Sequence, residues 1–590
     1  MLLLCFACPP QLTETSLGLS LEENKKTLSG IRRHLKHKDT AKFRDVLLLL
    51  KIQNTTAAIM ENLDQLIDSV LTDDANSKEL FKAVSSLAKL SREEETVRTR
   101  LALRDVLQRL VKILKTHPRT LSAEDLLAAT LRCVGNACVS NLEACKLVTE
   151  SNFDWYHAFL VPEASLDHDP AGEETPSPHW TTPPTEVREL TIKVLYNICS
   201  QSEEAQRRCY LDGIDVQIFT VLAGGDNGLS PVENPSLAID LLFWVTSHHR
   251  DLAADEKAKG SHSGGQDPDV LYSGHWDSMF RATCLLWEKV DVEDYATLME
   301  SVLVFLRDPK ALRELSASLD TTSKVWRILA CTERKIQEAE AEGDAEDVKL
   351  LVALSTSLTW ILSDVSASPA LASTVSAGSF DNVKAFIGDL SRLLTTGVTQ
   401  SRVRWQNVAG DIDDVVEVID GDSLRFTSAA CQIVGNLLHG QVELKRSDGD
   451  QPEDTYQKIL DTLTGSGRSP ATQNRHIHQR LFALMTASDN ADFLHSAAGF
   501  LIQLSRPSPE VREEIASDSN ALPAIRRLGQ HTMQQLNQDA LMLMRALGKD
   551  TPSVQEKFKE VAGEVMATVA ETQKAAAEAQ AEQPAMTSTA

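Results

Sequence analysis

Apolar residues recur at helical spacing through most of the chain, and one short pattern returns many times. In each copy an apolar stretch encloses one polar or bulky residue, here called the anchor, and a short polar break follows. The anchors are Lys89, Asn136, Asn197, Trp244, Phe305, Trp360, Asn436, Gln503 and Arg545. The positions two before and one after every anchor are apolar, as one buried face of an α-helix requires. The pattern therefore predicts a series of related helices.

The spacing of the anchors predicts the fold. Successive anchors are 47, 61, 47, 61, 55, 76, 67 and 42 residues apart. The short intervals fit the roughly 40–47 residues of an armadillo or HEAT unit, and the long ones indicate insertions. Residues 162–184 carry six prolines and cannot form a regular helix, and residues 251–275 contain Gly-Ser-His-Ser-Gly-Gly, which is typical of a flexible loop. We therefore predict an all-α, armadillo/HEAT-type, right-handed superhelical solenoid.

The same pattern divides the chain into three parts. Residues 1–55 are predicted to be a tail with capping helices, 56–550 the solenoid, and 551–590 a C-terminal helix with a disordered tail from about position 570. No alternation of useful length predicts a strand. Gly135 and Gly435 each precede an anchor Asn, and Gly inside a helix costs about 1 kcal/mol. Their presence indicates close helix approach within the repeat.

Composition and charge narrow the class of partner. Leu and Ala are abundant and aromatic residues make up only 5%, which favours helices. The net charge of −25 argues against nucleic acid or an anionic membrane as the main partner and is compatible with a basic one. No window of 18 apolar residues predicts a transmembrane helix, so no stable membrane insertion is expected, and Met1–Ala7 is short for a signal peptide. A cytoplasmic location is expected.

The chain shows no motif for a cofactor or a metal. The ten cysteines are scattered, and Cys133, Cys138, Cys199 and Cys431 fall in apolar helices, where reduced, packed thiols are expected. Gly-x-Ser-x-Gly, His-Glu-x-x-His and Gly-x-Gly-x-x-Gly are all missing from the sequence. We therefore expect a binding protein with no covalent active site, no cofactor and no metal.

Two kinds of residue are candidates for partner contact. The anchors Asn136, Asn197 and Asn436 either bond to a neighbouring backbone or line the groove of the solenoid. The tract 410–422 holds six acids and no base, mixed with Val and Ile, just before the helix of Asn436. Its candidates for capturing a basic partner are Asp411, Asp413, Asp414 and Glu417. A second acidic tract, 337–347, is interpreted as a solvated face or a loop between repeats.

The helices Leu131-Arg-Cys-Val-Gly-Asn136 and Val194-Leu-Tyr-Asn197-Ile-Cys, with the acidic charge and the length, resemble the smg GDP dissociation stimulator family of armadillo-repeat proteins. The resemblance covers roughly residues 60–550. It implies binding to Rho- and Rap-type small GTPases, promotion of GDP release from some of them, and a chaperone role for the forms with basic, prenylated C-terminal tails. A monomer is expected. Tyr196 departs from the family's Gly before the anchor, and Trp244 and Trp360 depart from its polar anchor.

Two other binding functions stay open. One is an armadillo scaffold without exchange activity, such as an ataxin-type cytokinesis factor. The other is an importin-like adaptor, whose groove would show Trp–Asn pairs one helical turn apart. Here Trp and Asn alternate between anchors, as Trp244 follows Asn197, which weighs against the adaptor.

Overall fold

A computed structural model describes most of residues 62–582. Outside the described residues lie 1–61, 162–181, 225–231, 260–275, 449–453, 465–476 and 583–590, with shorter gaps at 73–76, 118, 121–122, 152, 233, 378–379, 398, 408–409 and 420–422. The predicted capping helices at 1–55 thus lie outside the described residues, as does most of the insertion predicted at 162–184.

The described residues form helices and one pair of strands. After a helical stretch at 62–71, the elements are α1 Ser77–Glu93, α2 Glu95–Leu101, α3 Arg104–Thr116, α4 Glu124–Cys138, α5 Leu142–Glu150, a 3₁₀ turn Phe153–Tyr156, α6 His157–Leu160, α7 Thr185–Cys199, α8 Glu203–Leu211, α9 Ile214–Ala223, α10 Ser236–Lys259, α11 Trp276–Leu286, α12 Val292–Leu306, α13 Pro309–Ser316, α14 Leu319–Glu342, α15 Ala345–Ser366, α16 Pro369–Ala377, α17 Phe380–Thr396, β1 Thr399–Asn407, β2 Gly410–Ile419, α18 Leu424–Asp448, α19 Asp454–Thr464, α20 Ile477–Ala487, α21 Ala491–Leu504, α22 Pro509–Ser517, α23 Ala521–Gly529, α24 Gln534–Gly548 and α25 Pro552–Glu582.

The nine anchor helices stack on one another in chain order. The order of this ladder is α1, α4, α7, α10, α12, α15, α18, α21 and α24, and each helix packs on the next. A second ladder runs alongside as α6, α9, α11, α14, α17, α20 and α23, each of which is the helix before an anchor helix from α7 onward, and α25, which follows the last anchor helix, packs at its end. Because each unit mainly contacts its neighbours, this is a solenoid. The prediction of an all-α solenoid is confirmed.

The predicted apolar face of the anchor helices is their core face. Of the eighteen flanking positions, sixteen are buried, and Leu90 and Ala546 are half-buried. These side chains join one continuous apolar core that runs from Leu63 to Val565. The spacing of three residues therefore identified real neighbours on a buried helix face.

The short polar breaks after several anchor helices are helix caps. The side chains of Asn141, Ser202 and Ser508 accept hydrogen bonds from the backbone N–H groups three residues ahead, at 3.1, 3.3 and 3.3 Å. Each therefore caps the short first helix of the next unit, α5, α8 or α22. Polar residues at these points let the chain turn sharply between units.

The expectation that no strand would form was wrong. Strands β1 and β2 form an antiparallel hairpin between α17 and α18, with Arg404 opposite Asp413 and Val403 opposite Asp414. The segments favour strands because Val, Ile and Trp recur in them. This hairpin, and no extra pair of helices, accounts for much of the 76-residue interval between Trp360 and Asn436.

Two other predicted boundaries also need correction. Helix α10 continues to Lys259, so residues 251–259 are helical and only 260–275 of that predicted loop lie outside the described residues. Helix α25 continues to Glu582, beyond the predicted start of a disordered tail near position 570. In both cases Ala, Glu, Lys and Gln, which are strong helix formers, extend the helix.

The two predicted glycines lie where helices approach closely. A Cβ at Gly135 would stand 3.2 Å from Val194 Cγ2, and one at Gly435 would stand 3.6 Å from Phe500 Cα. Both approaches join the anchor helices of neighbouring units (α4 with α7, and α18 with α21). The contact thus lies between repeats and not, as predicted, within one.

Helix α15 is the one helix in the described part of the chain that is long and apolar enough to cross a membrane. It packs between α12 and α18 in the ladder, and its Leu351, Leu358 and Leu362 side chains are buried. Its apolar character is thus accounted for by a place in the core of the solenoid.

Candidate functional site

A groove crosses three consecutive anchor helices, α15, α18 and α21, on their exposed side. It encloses about 460 Å³. From these helices and the turns before them, its lining residues include Thr356, Thr359, Trp360, Ser363, Arg425, Ser428, Gln432, Gly435, Asn436, His439, Asp492, His495, Gly499 and Gln503. Three anchors, Trp360, Asn436 and Gln503, therefore lie side by side along it.

Trp360 is the most exposed large apolar side chain among the described residues, at 69%. Its neighbours Leu358 and Ile361 are buried, so the helix turns the indole away from the core. Trp326, by contrast, is buried and stacks on Phe426 with ring centroids 4.4 Å apart. An exposed indole keeps a large apolar area in water, which a partner could cover.

Asn436 contacts the preceding anchor helix and also lines the groove. Its Nδ2 donates to the Ser363 carbonyl at 3.2 Å and to Ser366 Oγ at 3.0 Å. Its neighbour along the groove, Gln503, has a buried Oε1 with no hydrogen-bond partner in the described part of the chain. Buried polar atoms are usually satisfied, so this oxygen is a candidate acceptor for a bound group.

The other two candidate asparagines serve contacts between helices. Asn136 Nδ2 donates to Ser91 Oγ at 2.9 Å, and Asn197 Nδ2 donates to the Gly135 carbonyl at 3.1 Å. All three predicted asparagines therefore bond to the preceding anchor helix: Asn197 and Asn436 bond to its backbone, which is the first of the two predicted alternatives, and Asn136 bonds to a side chain. Of the three, the structure places Asn436 in the described groove as well.

A buried carboxylate holds the wall of the groove. Glu333 on α14 accepts hydrogen bonds from Ser355 Oγ at 2.5 Å, Ser423 Oγ at 2.8 Å and Arg425 Nε at 3.4 Å. These donors belong to α15 and to the start of α18. Because charge-assisted hydrogen bonds are strong inside a protein, this network fixes two neighbouring anchor helices relative to each other.

One histidine of the groove is paired with a buried acid. His495 Nδ1 lies 2.6 Å from Asp539 Oδ2, and Asp539 is buried while His495 is half exposed. The hydrogen bond to this carboxylate raises the pKa of His495. The imidazole therefore holds its positive charge to higher pH than a free histidine.

Acidic residues line the N-terminal ends of successive anchor helices. This acidic edge consists of Glu124, Asp125, Glu186, Asp240, Glu293, Asp294, Glu346 and Asp347. The pKa of Asp240 is raised by burial and by Asp294 and Glu293 of the next anchor helix. The pKa of Glu124 is raised by burial and by neighbouring acids that include Glu186. The carboxylates are thus close enough to repel one another across units. Each negative charge also interacts favourably with the positive, N-terminal end of its own helix.

The predicted acidic tracts lie in two different settings. Asp411, Asp413, Asp414 and Glu417 lie on β2, and Asp411 is opposite Gln406 in the hairpin. Their contact with a partner stays a prediction. The other tract, 337–347, comprises the end of α14, the turn at Gly343 and Asp344, and the start of α15. Gly343 has φ 81° and Asp344 caps α15, so the tract lies inside one unit.

The structure confirms the sequence interpretation of the cysteines. The eight described cysteines are free and buried, so Cys133, Cys138, Cys199 and Cys431 are packed thiols as predicted. Among the described residues no group of three or more His, Cys, Asp or Glu side chains could hold a metal ion. Trp360, Gln503 and His495 were missed as groove residues. The sequence signal that could have identified Trp360 is its anchor position, which a polar residue occupies in most other repeats.

Among known proteins, the chain is similar to solved structures of designed and engineered proteins. No protein-family model matches the chain, and no curated protein matches it. An engineered protein is similar at 12% identity and TM-score 0.33, covering 82% of this chain and 98% of its own. A designed armadillo repeat protein is similar at 13% identity and TM-score 0.31, over 50% of this chain and 99% of its own. A second, in complex with the peptide (KR)4, is similar at 14% identity and TM-score 0.30, over the same shares.

Proposed function

We propose that the chain binds an extended segment of a partner protein in the groove across α15, α18 and α21. The observation that carries this proposal is Trp360, an indole 69% exposed in a groove that also holds Asn436 and Gln503. Tryptophan is enriched among the residues that dominate binding energy at interfaces. Asn and Gln side chains can donate to and accept from a peptide backbone.

The spacing between neighbouring anchor helices matches the advance of an extended peptide. Packed helices lie about 8–10 Å apart, and an extended chain advances about 3.3 Å per residue. A segment running across the anchor helices would therefore advance about three residues per unit. Its backbone would meet Trp360, Asn436 and Gln503 in turn.

The acidic edge supports a basic segment as the ligand. It runs along the N-terminal ends of α4, α7, α10, α12 and α15, of which α15 also forms the groove, and carboxylates of the next unit add to burial in raising the pKa values of Glu124 and Asp240. A basic segment would relieve that repulsion and would be steered toward this edge at low salt. The net charge of −25 acts in the same direction.

The partner class that fits these features is a small GTPase of the Rho or Ras type with a basic C-terminal tail, as the resemblance to the smg GDP dissociation stimulator family implies. Promotion of GDP release would need no covalent chemistry, because a protein that binds the nucleotide-free GTPase more tightly shifts the equilibrium toward release. The alternative, an armadillo scaffold that binds another protein without exchange activity, is supported by the same groove.

Release of a fluorescent GDP from prenylated and unprenylated Rho- and Ras-type GTPases tests the partner. Acceleration of release, with binding of the isolated basic tail, is the expected result. Binding of a tail without acceleration would leave the scaffold function. If neither is seen for any GTPase, the proposed partner class is wrong.

Charge variants sharpen this experiment. The triple variant Asp240→Asn, Glu293→Gln, Asp347→Asn removes three carboxylates from consecutive anchor helices and should weaken tail binding about tenfold at low salt. Glu203→Gln, Glu514→Gln, Glu560→Gln removes the same charge away from the acidic edge and should change binding little. A separate variant with Asp411, Asp413, Asp414 and Glu417 replaced by Asn or Gln tests the hairpin in the same assay; unchanged affinity and salt dependence would exclude it from tail capture.

A further inference from the structure

A second, larger cleft lies at the C-terminal ends of the anchor helices α18, α21 and α24. It encloses about 1530 Å³ and is completed by the short helices α16, α19 and α22. We call it the basic cleft, because its charged lining residues are Arg506, Arg512, Arg545, Lys549 and a single acid, Asp550. In a chain of net charge −25, this is a local reversal of sign.

Three of these cations have no partner within the described part of the chain. The side chains of Arg506, Arg545 and Lys549 make neither a hydrogen bond nor an ion pair there. Arg545 and Lys549 are exposed and Arg506 is half-buried. Their charges are therefore available to a ligand.

The fourth cation, Arg512, is buried and poorly neutralised. It is 5% exposed, and its Nη1 donates to the carbonyls of Ser505 and Arg506 at 3.5 and 3.4 Å. Asp550 Oδ2 lies 3.8 Å from Nη2, and the buried Nε has no hydrogen-bond partner among the described residues. A hydrogen bond with a nearby serine lowers the pKa of Glu510 and the charge of Arg512 adds to this effect, but Glu510 makes no ion pair with Arg512 among the described residues. A buried guanidinium without a close carboxylate is costly, which indicates that an anion from outside would stabilise it.

The walls of the basic cleft are already in place. Tyr456 Oη donates to the Gln503 carbonyl at 2.9 Å, Gln441 Nε2 to the Ala372 carbonyl at 2.8 Å, and Gln555 Nε2 to the Gly548 carbonyl at 2.7 Å. Each bond joins two different elements. A preformed site loses less conformational freedom on binding, which favours affinity.

We infer that the basic cleft binds an acidic segment of a partner protein, with Asp or Glu carboxylates on Arg506, Arg545 and Lys549. Guanidinium groups hold carboxylates with two parallel hydrogen bonds, so Arg is suited to this role. The side chain of Met542, 49% exposed in the lining, adds a flexible apolar contact for a Leu or Phe of the segment. This inference is independent of the groove and its basic ligand.

A fluorescein-labelled peptide of alternating Glu and Leu tests the inference by fluorescence anisotropy on the full chain. Peptides with Gln or Lys in place of Glu are the controls. The acidic peptide should bind, and the other two should bind at least tenfold more weakly. The triple variant Arg506→Gln, Arg545→Gln, Lys549→Gln should reduce affinity for the acidic peptide at least tenfold.

A charge-matched variant separates this site from the general field of the protein. Lys82→Gln, Arg92→Gln, Arg207→Gln removes three exposed cations in the first units and should leave acidic-peptide affinity within about twofold, because surface charges beyond the Debye length are screened. Equal losses in both triple variants would overturn the inference, as would failure of the acidic peptide to bind. Tighter binding of a single-stranded oligonucleotide than of the peptide would also overturn it.

Discussion

The contact between α4 and α7 and the groove across α15, α18 and α21 are built from the same repeated helix, yet one is closed and the other open. In the first, the absence of a side chain at Gly135 allows a close approach, since a Cβ there would lie only 3.2 Å from Val194 Cγ2. Asn197 Nδ2 also donates a hydrogen bond to the Gly135 carbonyl. In the second, the anchor Trp360 stands 69% exposed and Gly499 has nothing within 4 Å of its Cβ position. The Gly-Asn motif therefore encodes helix packing, and the groove depends on which side chains the neighbouring anchors carry.

The largest expected difference between the two regions comes from their glycines. Gly135→Leu places a side chain against Val194 and should destabilise α4 and α7 by about 3 kcal/mol, because overpacking forces the helices apart. Gly499→Leu projects into the open groove and should change stability by less than about 1 kcal/mol while blocking a bound peptide. Native-state hydrogen exchange of the two helix pairs measures both effects. Equal destabilisation by the two variants would contradict the comparison.

A buried acid on α9, outside both the α4–α7 contact and the groove, makes the stability of the protein depend on pH. Burial raises the pKa of Asp215, on α9, to about 7 from its ordinary 3.8. The folded state therefore holds this proton more tightly than the unfolded state, and stability falls as pH rises from about 4 through about 7.

Replacing this acid should remove the effect. Asp215→Asn should stabilise the protein by about 2 kcal/mol at pH 8 and by almost nothing at pH 4. Urea unfolding at the two pH values provides the measurement. A gain of the same size at both pH values would show that ionisation of Asp215 is not the cause.

The smallest effects come from the asparagines. Asn197→Ala and Asn436→Ala each remove donors to the preceding anchor helix and should each cost about 1 kcal/mol of stability. Because Asn436 also lines the groove, only Asn436→Ala should weaken peptide binding, by about threefold. Thermal unfolding and peptide titration separate the two consequences. Weaker binding in Asn197→Ala would place that residue in the binding surface as well.

The anchor helices could be predicted from sequence because a buried helix face repeats every three to four residues whatever its surroundings. Leu195 and Ile198 illustrate this, since both are fully buried. The hairpin could not be predicted from alternation, because the pairs Asp413-Asp414 and Val415-Val416 interrupt the sequence of polar and apolar positions along β2. Strand pairing depends on a partner segment, here β1, and not on local periodicity alone.

The groove could be predicted only in part. The anchor position makes Asn436 a candidate, whereas Trp360 departs from the polar anchor pattern and gives no such signal. Whether an anchor is covered or open depends on helices 55–76 residues away in the chain. For the same reason the basic cleft was not expected, since Arg506, Arg512 and Arg545 come together only when α21, α22 and α24 pack.

The most direct test of the groove as a binding site is the affinity of a basic GTPase-tail peptide for the full chain and for Trp360→Ala. Leu211→Ala is the matched control, because Leu211 is 56% exposed on α8, outside the groove. Trp360→Ala should lose about tenfold in affinity with an unchanged melting temperature, since an exposed indole adds little to stability but a covered one adds to binding. Leu211→Ala should bind normally. Equal affinities for the chain and Trp360→Ala would contradict the proposed site.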